Sequence, residues 1–184
     1  MATPIVAFSG PSGAGKTRLL VRLLPALVRR GLRVAALKHS GHAHFFDAPG
    51  KDSHRLRRAG ALAVVVEGPA GAAWFGPPLG GARAMAGLLP AVDLVVAEGF
   101  KGERLPRIEV HARRVSREFL CARDRRVMAV VSDEPPPRDL PCFGHAEVEA
   151  LADFLCRRFG LAADPGGKGR PGGRRRRGER PPRR

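Results

Sequence analysis

Residues Gly10 to Thr17 read G-P-S-G-A-G-K-T, directly after the apolar run Ile5-Val6-Ala7-Phe8 and directly before Arg18-Leu19-Leu20-Val21. The order is strand, glycine loop, helix. In the spacing G-x-x-x-x-G-K-[ST], successive backbone N–H groups turn inward around a phosphate chain, and the following helix points its positive end at the same charge. Gly10, Gly13 and Gly15 let the main chain approach the ligand and take positive φ where needed. Ser12 and Ala14 complete the cradle. Lys16 would reach the β- and γ-phosphates, and the Thr17 hydroxyl would take one position on Mg²⁺.

Outward from this loop the chain alternates helices and strands. Lys16 to Arg30 predicts a helix with Leu19, Leu20, Leu23, Leu24, Leu27 and Val28 as its apolar stripe, bent or split at Pro25 and ended by Gly31. Residues 33–37 predict a short strand, and residues 51–59 a polar helix. The all-apolar run 61–66 predicts a further strand. Residues 67–78 follow as a small turn or hairpin bearing Trp74 and Phe75. A modest helix is expected over 79–89, then a near-continuous apolar strand over 92–97. Residues 107–111, R-I-E-V-H, read as an edge strand, because polar and apolar positions alternate. Residues 126–131 predict a buried strand, and 146–159 an amphipathic helix. The fold class is therefore α/β: a P-loop nucleotide-binding domain over residues 1–163, its mostly parallel sheet covered by helices on both faces, with a small hairpin region.

In such a sheet, ligands collect outside the C-terminal ends of the strands. This decides which acid meets the metal. Asp93 lies at the start of its strand, about 16 Å from the exit at ~3.3 Å per residue, whereas Glu98 lies at the exit. Glu98 is therefore assigned to Mg²⁺ or to the attacking water, and with Lys16 to catalysis; Asp93 is given a structural role. Lys38 and His39 fall beside the phosphate loop and Lys101 just past Glu98. Asp47, Lys51, Asp52 and Ser53 belong to the long loop over 38–50 and to the helix start behind it. His39, His42, His44 and Asp47 are open to three readings: a transition-metal site, a loop that closes on bound phosphate, or a docking surface. His54, His111 and His145 are read as ordinary residues.

Base choice turns on what the chain lacks. It holds no Asn, so the N-K-x-D signature of common GTPases is absent. Asp133, at a strand exit, is the acid placed to accept hydrogen bonds from guanine N1 and N2, which adenine cannot offer. This favours GTP. Without glutamine the water-orienting residue of fast GTPases is also missing, so slow hydrolysis is expected.

Composition narrows the class. The 184 residues carry a net charge of +16, with 28 Arg but five Lys. Where Arg serves for most positive charge, Lys16, Lys38, Lys51 and Lys101 are read as point charges that Arg cannot replace, gathered at one edge of the sheet. Residues 164–184 hold nine of the basic residues against two acids. This Arg/Gly/Pro-rich tail is expected to be disordered, either a solubilising extension or a contact for nucleic acid or an acidic partner. No apolar stretch approaches the ~20 residues of a membrane span, and no signal peptide is read, so the expected location is cytoplasmic. Cys121, Cys142 and Cys156 form no C-x-x-C pair and are read as reduced packing residues.

The combination of G-P-S-G-A-G-K-T, K-H-S-G-H at 38–42, D-A-P-G-K-D-S-H-R at 47–55, A-E-G-F-K at 97–101, P-R-I-E-V at 106–110 and A-V-V-S-D at 129–133 resembles the molybdopterin-guanine dinucleotide biosynthesis protein B family, MobB, over about residues 4–160. The resemblance implies a GTP-binding, weakly hydrolysing adaptor. It implies a homodimer formed through the strand region around Trp74, working beside the guanylyltransferase that joins GMP to molybdopterin. It also implies phosphate contacts from Gly13 to Thr17, with Glu98 near the metal. The arginine tail departs from the family's usual ending. The alternative is a P-loop kinase that phosphorylates a small metabolite or cofactor precursor.

Overall fold

The computed structural model describes residues 2–40 and 47–161, so His42, His44 and the basic tail lie outside the described residues. Eight strands are present among the described residues: β1 (Ile5–Ser9), β2 (Val34–Lys38), β3 (Val64–Gly68), β4 (Gly71–Phe75), β5 (Leu94–Glu98), β6 (Arg107–Val110), β7 (Val127–Val131) and β8 (Cys142–Phe143). The helices are α1 (Lys16–Arg29), α2 (Asp52–Arg58), α3 (Ala82–Ala86) and α4 (Val148–Phe159), with a single 3-10 turn at Leu120–Ala122. Six strands form one parallel sheet in the order β2-β5-β1-β6-β7-β8. β3 and β4 pair antiparallel as a separate hairpin.

Although β1 is buried along its whole length, its side chains divide by parity, as a pleated strand demands. Val6 and Phe8 enter the core beneath α1 and α4, with Leu23, Leu27, Leu151 and Leu155. Ile5 and Ala7 face the other side, covered by α3 through Ala82. A third cluster, Cys121, Val127 and Val130, closes the sheet near β7. Arg30 reaches from α1 to Glu149 and Asp153 of α4, at 2.7 and 2.6 Å.

Several expectations are corrected. β6 is interior, between β1 and β7, and fully buried. Its alternation arises because Arg107 and Glu109 meet buried polar partners instead of water. Arg107 donates to Ser9 Oγ at 3.0 Å, and Glu109 accepts from the backbone N–H groups of Leu120 and Cys121 at 2.6 and 2.8 Å. The apolar run 61–66 is not a strand of the main sheet; only its end enters β3, where Val65 and Val66 are exposed. α1 continues through Pro25 without splitting, since that residue lies on the exposed side, where water can serve the carbonyl left without a donor. Val28 also falls on that side and is exposed. The helix expected over 79–89 is only five residues long.

Candidate functional site

Parallel, in-register pairing brings three strand exits to one level. Glu98 is opposite Phe8 on β1 and opposite Lys38 on β2, so an acid and a lysine flank the point where the chain leaves β1 for the phosphate loop. Gly10 begins that loop at φ 152°, and a Cβ there would lie 2.2 Å from the Val110 carbonyl oxygen. Only glycine allows the two backbones to pass so closely. Gly15 stands at the start of α1 in the left-handed region, φ 92°, with no side-chain cap. No backbone oxygen among the described residues is shown accepting from the N–H groups of Gly13, Gly15, Lys16 or Thr17, as the loop and first turn before a helix N-terminus allow.

Lys16 curls over the loop and donates from Nζ to the carbonyl oxygens of Gly10 and Pro11, at 3.2 and 2.7 Å. Its pKa is lowered from the usual lysine value, chiefly by burial; nearby Glu98 opposes the shift, while Lys101 and Lys38 add to it. Glu98 thus faces both Lys16 and Lys38, with Lys38 Nζ 3.7 Å from Glu98 Oε1, and Lys101 adds a further positive charge near Lys16. The excess positive charge is what a polyphosphate would neutralise.

The Thr17 hydroxyl lies 2.8 Å from each carboxylate oxygen of Glu98. Both are hard oxygen donors, and neighbouring corners of an Mg²⁺ octahedron with bonds of ~2.0–2.1 Å are about 2.9 Å apart. The pair thus has the chemistry and the spacing of two adjacent Mg²⁺ ligands. Asp93 sits at the other end of β5, bound to the Arg33 backbone N–H at 2.7 Å and to its guanidinium at 2.8 Å, as its structural assignment requires.

A cleft of about 360 Å³ opens along the second half of the loop, lined by Ala14, Gly15, Arg18, Arg114, Asp133 and His145 among others. Asp133 is exposed there, at the exit of β7. Arg114 was not singled out by sequence; it donates to the Gly13 carbonyl at 3.3 Å across 101 residues of chain, a contact no local window reports. Arg18 was likewise not singled out, although its position directly after the loop could have pointed to it.

The remaining candidates form other groupings. His39 donates its backbone N–H to the Glu98 carbonyl at 2.9 Å and lays its ring 5.3 Å from that of Phe100. Asp47 binds Ser53 Oγ at 2.7 Å and Arg57 at 3.3 Å, Lys51 stands at the N-cap of α2, and Asp52 pairs with Arg55. These last four gather beside the hairpin. Among the described residues, no hydrogen bond or ion pair joins them to Lys16, Thr17 or Glu98, and Lys51 is not among the charges felt at Lys16, which are Glu98, Lys101 and Lys38. No three His, Cys, Asp or Glu among the described residues converge as metal ligands.

A family model described as molybdopterin guanine dinucleotide synthesis protein B, MobB, matches residues 5–133. The chain is 37% identical over 161 residues to the molybdopterin-guanine dinucleotide biosynthesis adapter protein of Escherichia coli (strain K12), covering 83% of this chain and 91% of the relative. It is 33% identical over 156 residues to the protein of that name from Haemophilus influenzae, covering 83% and 87%. A crystal structure of molybdopterin-guanine biosynthesis protein B superposes with a TM-score of 0.64 at 29% identity, over 84% of this chain and 99% of that one. With the phosphate loop, its in-register acid and the sheet order all accounted for, the chain belongs to the MobB family.

Proposed function

We propose that this chain is a GTP-binding adapter in molybdopterin guanine dinucleotide biosynthesis, with slow, Mg²⁺-dependent GTP hydrolysis. It acts as a cytoplasmic homodimer beside the guanylyltransferase that joins GMP to molybdopterin. The adapter role is the one named for its Escherichia coli and Haemophilus influenzae relatives. The observation that carries the GTP reading is that Asp133 shares one cleft with Gly15 and Arg18. A nucleotide with its phosphates on the loop would then present its base to a carboxylate, which can accept from the adjacent N1–H and N2–H donors of guanine, a pair that adenine lacks.

Within that reading Lys16 and the loop N–H groups bind the phosphates, Lys38 and Lys101 offset their charge, and Thr17 with Glu98 would hold Mg²⁺. The ion would supply charge neutralisation on the β- and γ-phosphates. Slow hydrolysis follows from the absence of glutamine in the chain. The homodimer reading rests on the β3–β4 hairpin, which leaves Val65, Val66 and Trp74 exposed. No helix among the described residues is long and apolar enough to cross a membrane.

Calorimetric titration with GTP and ATP, with and without Mg²⁺, tests this reading. GTP should bind about 10- to 100-fold more tightly than ATP, the worth of charge-assisted hydrogen bonds at ~1.5–3 kcal/mol, and Lys16→Ala should abolish both. Equal affinities would remove the guanine assignment. No nucleotide binding at all would remove the whole account, and fast ATP consumption on adding a small acceptor would favour a kinase.

A further inference from the structure

A second cleft, of about 390 Å³, borders the first half of the phosphate loop at Ser9, Gly10 and Pro11, whereas the cleft of Asp133 borders the second half. Its lining contains buried charge. Arg107 and Glu109 are each 1% exposed and Ser9 is fully buried. Arg107 donates to Ser9 Oγ at 3.0 Å, to the Lys101 carbonyl at 2.8 Å and to the Glu103 carbonyl. Its Nε–H, 3.2 Å from Asp124 Oδ2, makes an ion pair without an aligned hydrogen bond. Apolar residues could fill this volume at lower desolvation cost. The network ties β1 to the loop after Glu98 and to the 3-10 turn, and it gives the cleft a polar wall.

The rest of the lining says which ligand. Phe119 and Leu120 form an apolar wall, and His111 stacks on Phe119 at a centroid distance of 3.8 Å. Four cations line the cleft against three carboxylates. Three of the cations stand on exposed ground: Lys101, whose charge is felt at Lys16, Arg123, held at the rim by Glu118 at 3.1 Å, and Arg126, which is committed to Asp124 at 2.8 Å. Arg107 fixes the Lys101 carbonyl and so positions that segment over the cleft.

We propose that this cleft is a second ligand site for a small phosphate monoester, its anion met by Lys101 and Arg123 and its body lying against Phe119. The ligand would adjoin the end of the phosphate loop where Lys16 rests on Gly10 and Pro11. The site itself stands on the cleft's own residues; only the identity of its neighbour, the γ-phosphate of GTP, rests on the reading above.

The test uses the full chain saturated with Mg²⁺ and a non-hydrolysable GTP analogue, so that the phosphate loop is filled, and titrates phenyl phosphate by calorimetry. One saturable site is expected. Arg123→Ala, a change at an exposed rim position, should weaken phenyl phosphate by about tenfold or more, since charge-assisted hydrogen bonds are worth ~1.5–3 kcal/mol, while affinity for the analogue stays unchanged. Absence of saturable binding in the unaltered chain, or equal affinity in Arg123→Ala, overturns the proposal. If the analogue itself does not bind, the nucleotide reading fails separately. Phenyl phosphate is then titrated into nucleotide-free Lys16→Ala, where saturable binding sensitive to Arg123→Ala supports the cleft and no binding ends it.

Discussion

Thr17 and Glu98, 81 residues apart, meet at the exits of two adjacent strands with the threonine hydroxyl 2.8 Å from both carboxylate oxygens. Their contact follows from the Phe8–Glu98 register of β1 and β5.

This arrangement makes the carboxylate at position 98 specific. Glu98→Gln keeps the shape and an acceptor but removes the charge that offsets Lys16 and Lys38. Mg²⁺-dependent tightening of nucleotide binding should fall by about 10- to 100-fold, the usual consequence of disturbing a metal's carboxylate environment. Binding measured without Mg²⁺ should hold steady or improve, because an anion near the phosphates is gone. Titrations in the presence and absence of Mg²⁺ check both halves, and an unchanged Mg²⁺ dependence would return the metal role to another acid.

What could be read in advance follows a physical division. The phosphate loop, Lys38 and Glu98 were legible because the loop follows an apolar strand and the two residues end others, and parallel strands in register deliver their exits to one edge. β6 was misread because alternation reports a change of partner, not of solvent: Arg107 and Glu109 turn to Asp124, Leu120 and Cys121, which a local window does not reach. The run at 61–66 was misread because apolar composition alone does not separate a buried strand from an exposed hairpin. Arg114 beside Gly13 was invisible for the same reason as Arg107, its partner being distant in sequence.

Asp93 supplies the contrasting prediction. Hydrogen bonds from Arg33 hold its carboxyl below the ordinary value of 3.8, with burial opposing. A lowered folded-state pKa contributes stability above the unfolded value, and this is lost as pH falls through the folded one. The pair is partly exposed, so Asp93→Asn should cost less than about 1 kcal/mol at neutral pH. The difference from the unaltered chain should shrink below about pH 3.8. Urea melts at pH 7 and pH 3 measure this, and nucleotide affinity should not change.

Arg107 is the position where one side chain ties several segments together: the end of β1, the loop after Glu98 and the turn before β7. Asp124 keeps Arg126 when Arg107 is removed, so the cost falls on the buried Ser9 hydroxyl and the Lys101 carbonyl left without their donor, at about 1–3 kcal/mol each. Burial and nearby Arg126 lower the pKa of Arg107 from the usual arginine value, and Asp124 and Glu103 counter them. Arg107→Leu should therefore lose stability on that scale in urea denaturation, and Arg107→Lys should recover only part of it, because a single ammonium cannot reach the same set of acceptors. A loss below about 1 kcal/mol for the leucine variant would mean that the buried network is not what holds the loop after Glu98.

Two glycines of the phosphate loop separate steric from conformational demand. Gly15 takes a left-handed φ of 92° but has nothing within 4 Å of an added Cβ, so Gly15→Ala should cost only the conformational term, about 1–2 kcal/mol. Gly10→Ala would drive a methyl to 2.2 Å from the Val110 carbonyl oxygen and 3.2 Å from its carbon, both backbone atoms of the adjacent strand. Neither can rotate away, so β1 and β6 must part at their exits, disturbing Ser9 and the Arg107 contact with it. Denaturation of the two variants side by side should show the larger loss for Gly10→Ala, and the β6 amides near Val110 should exchange faster in Gly10→Ala than in Gly15→Ala. Equal losses would mean that the seam between β1 and β6 yields easily, and that the close passage at Gly10 is not what fixes the start of the loop.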